Sequence, residues 1–424
     1  MKRTILLLGI ALSFSANAQT DFGSWFTDKS LRIDYYLAGN HENVKVYPIG
    51  MREEPYWAAT TTKLVDPFNY GNFKYELFNP ETGELLFSRG YCTLFQEWQT
   101  TAEAKVTERS FFESARVPFP VREVKFVLSK RERSGLFTPV FETLIDPDDY
   151  FITREKPVDV KVTLIAGSGN YRQNVDFAFI AEGYTATEME KFRSDVKKMA
   201  EVLFAEAPYD RYRDRFNIWA VEAVSQQSGT DVPGENIYVN TALNASFYTF
   251  DLDRYLTTQD LRPVYDYAGA APYDNIIVLI NSTRYGGGGV YNYYSGTTVD
   301  HPLSPKVFIH ELGHGFAGLG DEYYSSDVAY EEFYPLAVEP WEPNITTLVN
   351  FEAKWKKLIA PGTPVPTPNS AEYRGITGLF EGGGYMAKGI YRPAYDCRMK
   401  SNGPDGFCEV CRAAIAAMIE FYLQ

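Results

Sequence analysis

Histidine is scarce in this chain, with 4 among 424 residues. Any chemistry that needs several imidazoles must draw on His41, His301, His310 and His314 alone. Cysteine is as sparse: Cys92, Cys397, Cys408 and Cys411. That number cannot build the dense disulfide framework that replaces a hydrophobic core in small secreted domains. Positive charge is in deficit, with 41 Lys and Arg against 55 Asp and Glu and a formal net charge of −14. This balance disfavours nucleic acid and anionic lipid as partners. No segment beyond the N-terminus is long and apolar enough to span a bilayer, so no membrane anchor is expected. The glycine run at 286–289 lacks a following Lys-Ser/Thr pair, which argues against a phosphate loop.

What is present begins with a secretory pattern. Lys2 and Arg3 form a basic end, Ile5 to Phe14 an apolar core, and Ala16-Asn17-Ala18 an A-x-A cleavage site. The apolar run is too short to cross a membrane, and no Cys follows Ala18. Export to the periplasm or the exterior is expected, with cleavage at about Ala18. The four cysteines of an exported chain are then expected as disulfides or buried free thiols. Cys408-Glu-Val-Cys411 is a C-x-x-C, but a zinc site that drew in Cys92 and Cys397 would have spacings matching no common ribbon. The rest of the chain exceeds one typical core. It divides into 1–18 (signal peptide), 19–165 and 166–424.

The segment 19–165 reads as all-β. Alternating runs such as Leu31 to Tyr35, Lys74 to Phe78, Leu85 to Phe87, Val124 to Leu128 and Phe137 to Phe141 are separated by turn signals. A β-sandwich is the expected architecture. Asp146-Pro147-Asp148-Asp149 lacks a complete Ca²⁺-loop pattern and reads as a solvated turn. His41 reads as a loop residue. Beyond Gly167-Ser168-Gly169 the pattern changes to α/β. Val175 to Ile180 is a buried strand, and Thr185-x-x-Glu188 is a capping box. Met189, Phe192, Val196, Met199 and Leu203 then recur at helical spacing. Phe216 to Val224 and Asn275 to Ile280 are further strands. Tyr285 to Val290 is too glycine-rich for a helix, which leaves a flexible loop or an edge strand bordering a cleft. Glu409 to Leu423 reads as a terminal helix. The chain as a whole is expected to be α+β and multidomain.

Two of the four histidines stand in His310-Glu311-Leu312-Gly313-His314, an H-E-x-x-H. On a helix, positions i and i+4 share one face, so both imidazoles can hold one metal ion. Glu311 lies beside them as a general base on water. Ser304 is the expected N-cap, Pro305 suits the first turn, and Gly318 can end the helix. Gly313 and Gly315 each cost a helix about 1 kcal/mol relative to Ala. They make sense where another backbone passes close by. A catalytic zinc normally takes three protein ligands. His301 precedes the helix and reads as a loop residue. A carboxylate past the exit glycines Gly318 and Gly320 is the better third ligand, with Asp321 preferred and Glu322 the alternative.

The set H-E-x-x-H, Gly-x-Gly-Asp-Glu-Tyr, the upstream Phe179 to Tyr184 and the downstream Tyr391-Arg392-Pro393 with Cys397-Arg398-Met399 resembles the bacterial IgA-peptidase family of zinc metallopeptidases. The resemblance covers roughly Val175 to the C-terminus, and the preceding β region resembles the family's accessory N-terminal domain. It implies a secreted, metzincin-like zinc peptidase domain acting on a protein or peptide substrate. His310, His314 and Asp321 would bind one Zn²⁺, Glu311 would be the base, and Met399 would supply a turn beneath the metal. The common metzincin pattern puts its third ligand at the position of Gly320, so Asp321 falls one residue later. Tyr323, Tyr391 and Arg392 are candidate oxyanion donors. Two other functions fit parts of the pattern. One is a zinc amidase on cell-wall peptides. The other is a protein- or glycan-binding protein with a vestigial zinc site, in keeping with an aromatic content of 16%.

Overall fold

The computed structural model describes residues 21–324 and 333–423. The secretory pattern at 1–18 lies outside the described residues. Short helix α1 (Phe22–Trp25) leads into eight strands: β1 (Phe26–Gly39), β2 (Val44–Glu54), β3 (Phe73–Phe78), β4 (Leu85–Tyr91), β5 (Arg109–Pro120), β6 (Val124–Arg131), β7 (Phe137–Ile145) and β8 (Ile152–Thr153). They form two four-stranded sheets, in the orders β5-β1-β2-β8 and β4-β3-β6-β7. The runs read as strands from alternation all fall inside these elements. Helix α2 (Leu94–Gln99), capped by the Thr93 side chain accepting from the Gln96 amide, interrupts the β pattern. Its six residues are too few to leave a helical period in the sequence. Asp146 and Asp148 of the acidic turn are exposed, and the turn closes on itself, with Asp148 N–H donating to Asp146 Oδ1.

The second half is built on a six-stranded sheet of order β13-β14-β12-β10-β11-β9. Its strands are β9 (Val162–Ala166), β10 (Val175–Glu182), β11 (Phe216–Val221), β12 (Asn275–Ile280), β13 (Gly287–Val290) and β14 (Tyr294–Thr298). The middle four run parallel, and the two edge strands β9 and β13 are antiparallel to their neighbours. Every residue of β10 and β12 is buried, as the largely apolar strands of a covered parallel sheet require. Thr185 and Glu188 form the expected capping box ahead of α3 (Met189–Ala205), whose five predicted core residues are buried. Helices α4 (Leu261–Ala268), α5 (Ser304–Ala317) and α6 (Glu409–Tyr422) complete the set, with a hairpin of β15 (Phe380–Gly383) and β16 (Met386–Arg392) near the end. The architecture is therefore mixed α+β with several sheets. No described helix is long and apolar enough to cross a membrane.

One continuous apolar core links the two halves. At their junction a buried arginine gathers three carboxylates. Arg32 on β1 grips Asp34 with two bonds of 2.8 Å, and its Nη1 lies 2.7 Å from Asp266 on α4 and 3.7 Å from Glu54. The guanidinium is 1% exposed. Removing one member of a buried ionic set strands the others in low dielectric. Arg32→Ala is expected to cost about 3–5 kcal/mol in denaturant unfolding. A loss within about 0.5 kcal/mol, typical of surface changes, would show that this junction is solvated.

Candidate metal centre

Helix α5 carries H-E-x-x-H as expected, but its start differs. Leu303 is the N-cap, and Ser304 lies within the helix with its hydroxyl 3.1 Å from that of Thr298. The hydroxyl ties the helix to β14 instead of capping it. Gly318 ends the helix in the left-handed conformation at φ 64°. At Gly313 and Gly315 the close neighbours are side chains. A Cβ on Gly313 would lie 2.7 Å from Met399 Sδ, and one on Gly315 2.1 Å from Ser295 Oγ. The close backbone approach is instead at Gly289 on edge strand β13, where a Cβ would sit 2.2 Å from the Glu311 carbonyl oxygen. Tyr285 to Val290 thus supplies a glycine-lined edge strand along a cleft of about 380 Å³, with His310, Glu311, His314 and Asp321 among its lining residues.

The donor atoms meet closely. His310 Nε2 and His314 Nε2 are 3.1 Å apart, and Asp321 Oδ1 is 3.2 Å from the first and 3.3 Å from the second. The opposite ring nitrogens are committed. His310 Nδ1 is 2.9 Å from the Arg398 carbonyl, and His314 Nδ1 is 2.6 Å from the Leu319 carbonyl. A carbonyl only accepts, so each Nδ1 carries a proton, and a ring in its neutral form aims its Nε2 lone pair at the common point. Asp321 Oδ1 is buried against the two Nε2 atoms, while its Oδ2 accepts from the Tyr385 hydroxyl at 2.7 Å. Three lone pairs facing one point need a cation. Donors about 2.0–2.1 Å from a tetrahedral zinc would be about 3.3 Å apart, close to the triangle observed. The residues fit a metal ion.

Without a metal ion the same contacts attract a proton. Burial alone would depress His314, yet the Asp321 carboxylate outweighs it and lifts the imidazole to about 9. Burial would likewise raise Asp321, but the two imidazoles hold it well below the usual carboxylate range. Burial raises the Glu311 carboxyl, and the imidazoles only partly oppose it.

Glu322 is not part of this triangle. It is wholly buried behind the exit loop, and its Oε1 accepts from Asn344 Nδ2 at 2.9 Å. His301 lies away from the donors, its Nδ1 accepting from the Leu303 amide. Of the oxyanion candidates only Tyr323 lines the cleft. Tyr391 pairs with the Thr346 backbone, and Arg392 is buried on the carbonyls of Glu381 and Gly382, so both serve the β15–β16 hairpin. Sequence reasoning missed Tyr385, the Arg398 carbonyl and Arg254, a cleft-lining cation that acts on the Glu311 carboxyl, because local spacing could not connect them to α5. Glu182 of the Phe179 to Tyr184 stretch is structural. It accepts from Thr241 Oγ1 and from the Leu243 and Ala245 amides, holding the loop beside β10.

An H-E-x-x-H helix whose imidazoles meet a third donor on the floor of a cleft belongs to the class of metallopeptidases. Within that class, residues 163–374 and 369–419 match the model of the IgA Peptidase M64, and residues 21–142 match that of the Peptidase M64 N-terminus. The chain belongs to the IgA Peptidase M64 family. A search of curated proteins found no match to it.

Removing the ion should expose the linkage between protons and metal. In the metal-free protein His314 contributes stability that is complete below about 6.5 and lost as pH rises through about 9. In the loaded protein both rings are neutral, so the stabilisation conferred by metal grows across that window. Denaturant unfolding of chelated and loaded protein between about pH 6 and pH 10 checks this. A difference that stays flat or shrinks would contradict it.

Proposed function

We propose that this protein is a secreted zinc-dependent endopeptidase. The observation that carries the reading is the convergence of His310 Nε2, His314 Nε2 and Asp321 Oδ1 on one point in an open cleft. In this reading His310, His314 and Asp321 hold one Zn²⁺, and Tyr385 keeps Asp321 turned so that Oδ1 faces the ion. The nitrogen and oxygen donor set, and its spacing, favour zinc. Bound there, zinc supplies the Lewis acidity that activates water and polarises the scissile carbonyl. Glu311 takes the proton of the attacking water and returns it to the leaving amine. Its upward shift suits a group that must exchange a proton near neutrality. Burial, then the Asp321 charge, keeps the Tyr323 hydroxyl protonated, so it can donate to the developing oxyanion. The glycine edge of β13 leaves room for an extended peptide alongside α5.

We take the two N-terminal four-stranded sheets as a β-sandwich accessory domain that ends near residue 165, at β9. The metzincin-like assignment of the second half draws support from α5, the edge strand β13 and Met399 beneath Gly313. Secretion rests on the pattern at 1–18. A cell-wall amidase would share the same chemistry, and no described feature favours it over a peptide substrate. A binding protein with a vestigial site would have no use for a Glu311 carboxylate beside the donor triangle.

Glu311→Gln is expected to lower cleavage of a protein panel by about 10²–10⁴-fold, in keeping with loss of a general base. Its metal content should match wild type. Equal cleavage by the two proteins would refute the role of Glu311, and a wild type that cleaves nothing would refute the peptidase reading.

A further inference from the structure

A second group of donors lies on the opposite side of the exit loop. Glu322, Cys397, Cys408 and Cys411 each place one ligand atom within 4.8 Å of the others. Cys397, Cys411 and Glu322 are 0% exposed, and Cys408 is half-buried. All three sulfurs are free thiols. Cys92 is buried elsewhere, its amide donating to the Tyr291 carbonyl, so the fourth donor is the carboxylate of Glu322.

Three features point to a metal ion among them. First, the Cys397 and Cys411 sulfurs are 3.8 Å apart. A disulfide needs about 2.05 Å. Two thiolates about 2.3 Å from a tetrahedral ion stand about 3.8 Å apart. Second, the cluster holds three sulfurs, so any disulfide within it would leave one thiol over. Third, Glu322 Oε2 is wholly buried without a hydrogen bond, while Oε1 is held by Asn344 and lies 3.3 Å from Cys411 Sγ. A carboxylate packed among sulfurs is costly unless a cation lies beside it, and the nearby Arg392 guanidinium is hydrogen-bonded to the Glu381 and Gly382 carbonyls instead. The protein also supplies supporting bonds. The Cys408 amide donates to Cys397 Sγ at 3.2 Å, and Asn344 bonds both the N–H and the carbonyl of Gly320. Such outer contacts orient ligands at metal sites.

We propose that Cys397, Cys408, Cys411 and Glu322 form a second, structural metal site for a thiophilic divalent cation, zinc foremost. The thiols release their protons on binding, and no redox step is involved. Four protein donors leave no open position, as in structural zinc sites. The site would brace the catalytic loop. Glu322 directly follows Asp321, its amide donates to the Met399 carbonyl at 2.8 Å, and Cys397 directly precedes Arg398, whose carbonyl orients His310. The proposal rests on residues separate from the donor triangle and stands whether or not the chain is a peptidase.

The test uses full-length protein and the double variant His310→Ala/His314→Ala, which leaves every sulfur in place. Metal content is measured by elemental analysis, and each protein is also prepared with Co²⁺. Wild type should hold two equivalents. The double variant should keep one, and its cobalt form should show a thiolate-to-metal charge-transfer band. Cys411→Ser should lose that band. If that variant misfolds, the double variant still decides. A wild type that holds only one equivalent, with the band, supports this site and counts against the peptidase reading only. A double variant without metal, cobalt bound without the band, or a peptide map joining two of the three cysteines overturns the proposal.

Discussion

Two backbone carbonyls decide what the centre of this protein can do. Arg398 and Leu319 each accept the Nδ1 proton of one histidine, and that fixes both imidazoles in one tautomer. Their Nε2 lone pairs must then face one another and Asp321 Oδ1. Hydrogen bonds among neutral rings and a carboxylate cannot satisfy three acceptors at one point. The neighbouring architecture serves that constraint. Helix α5 sets the i and i+4 spacing, Gly318 ends it in a left-handed turn, and the following loop returns Asp321 to the face it left. Tyr385 takes the other carboxylate oxygen and stops it competing.

Adjacent residues of that loop work on opposite sides. Asp321 turns toward the cleft and Glu322 toward three cysteines. The loop is fixed by bonds from Asn344 to Gly320, from the Glu322 amide to Met399 and from the Gly384 amide to the Asp321 carbonyl. A peptide so pinned has little freedom to exchange the two carboxylates. The choice between Asp321 and Glu322, open in the sequence, is thus a question of which face of the loop each occupies.

Local information carried much of this. H-E-x-x-H needs only helical spacing, and the apolar runs of β10 and β12 announce a covered sheet by composition. The glycines of β13 hinted at a crowded cleft edge. Residues joined across the chain were out of reach. Tyr385 is 64 positions from Asp321, and the Arg398 carbonyl is 88 from His310. Backbone carbonyls leave no mark in residue identity at all. Arg392 and Tyr391 resemble site residues by type, yet tertiary contacts assign them to a hairpin. Glu322 could not be linked to the cysteines by any common spacing, because the fourth donor precedes the first sulfur by 75 positions. Ser304 has cap chemistry, but β14 offers its hydroxyl a better partner.

The central claim is that His310, His314 and Asp321, and not Glu322, enclose a metal ion. An anomalous difference map at the zinc edge, from crystals of wild-type protein grown with zinc, tests it most directly. The account predicts a peak within bonding distance of both Nε2 atoms and of Asp321 Oδ1. No peak in that triangle, or a peak there bonded by Glu322 in place of Asp321, would contradict it.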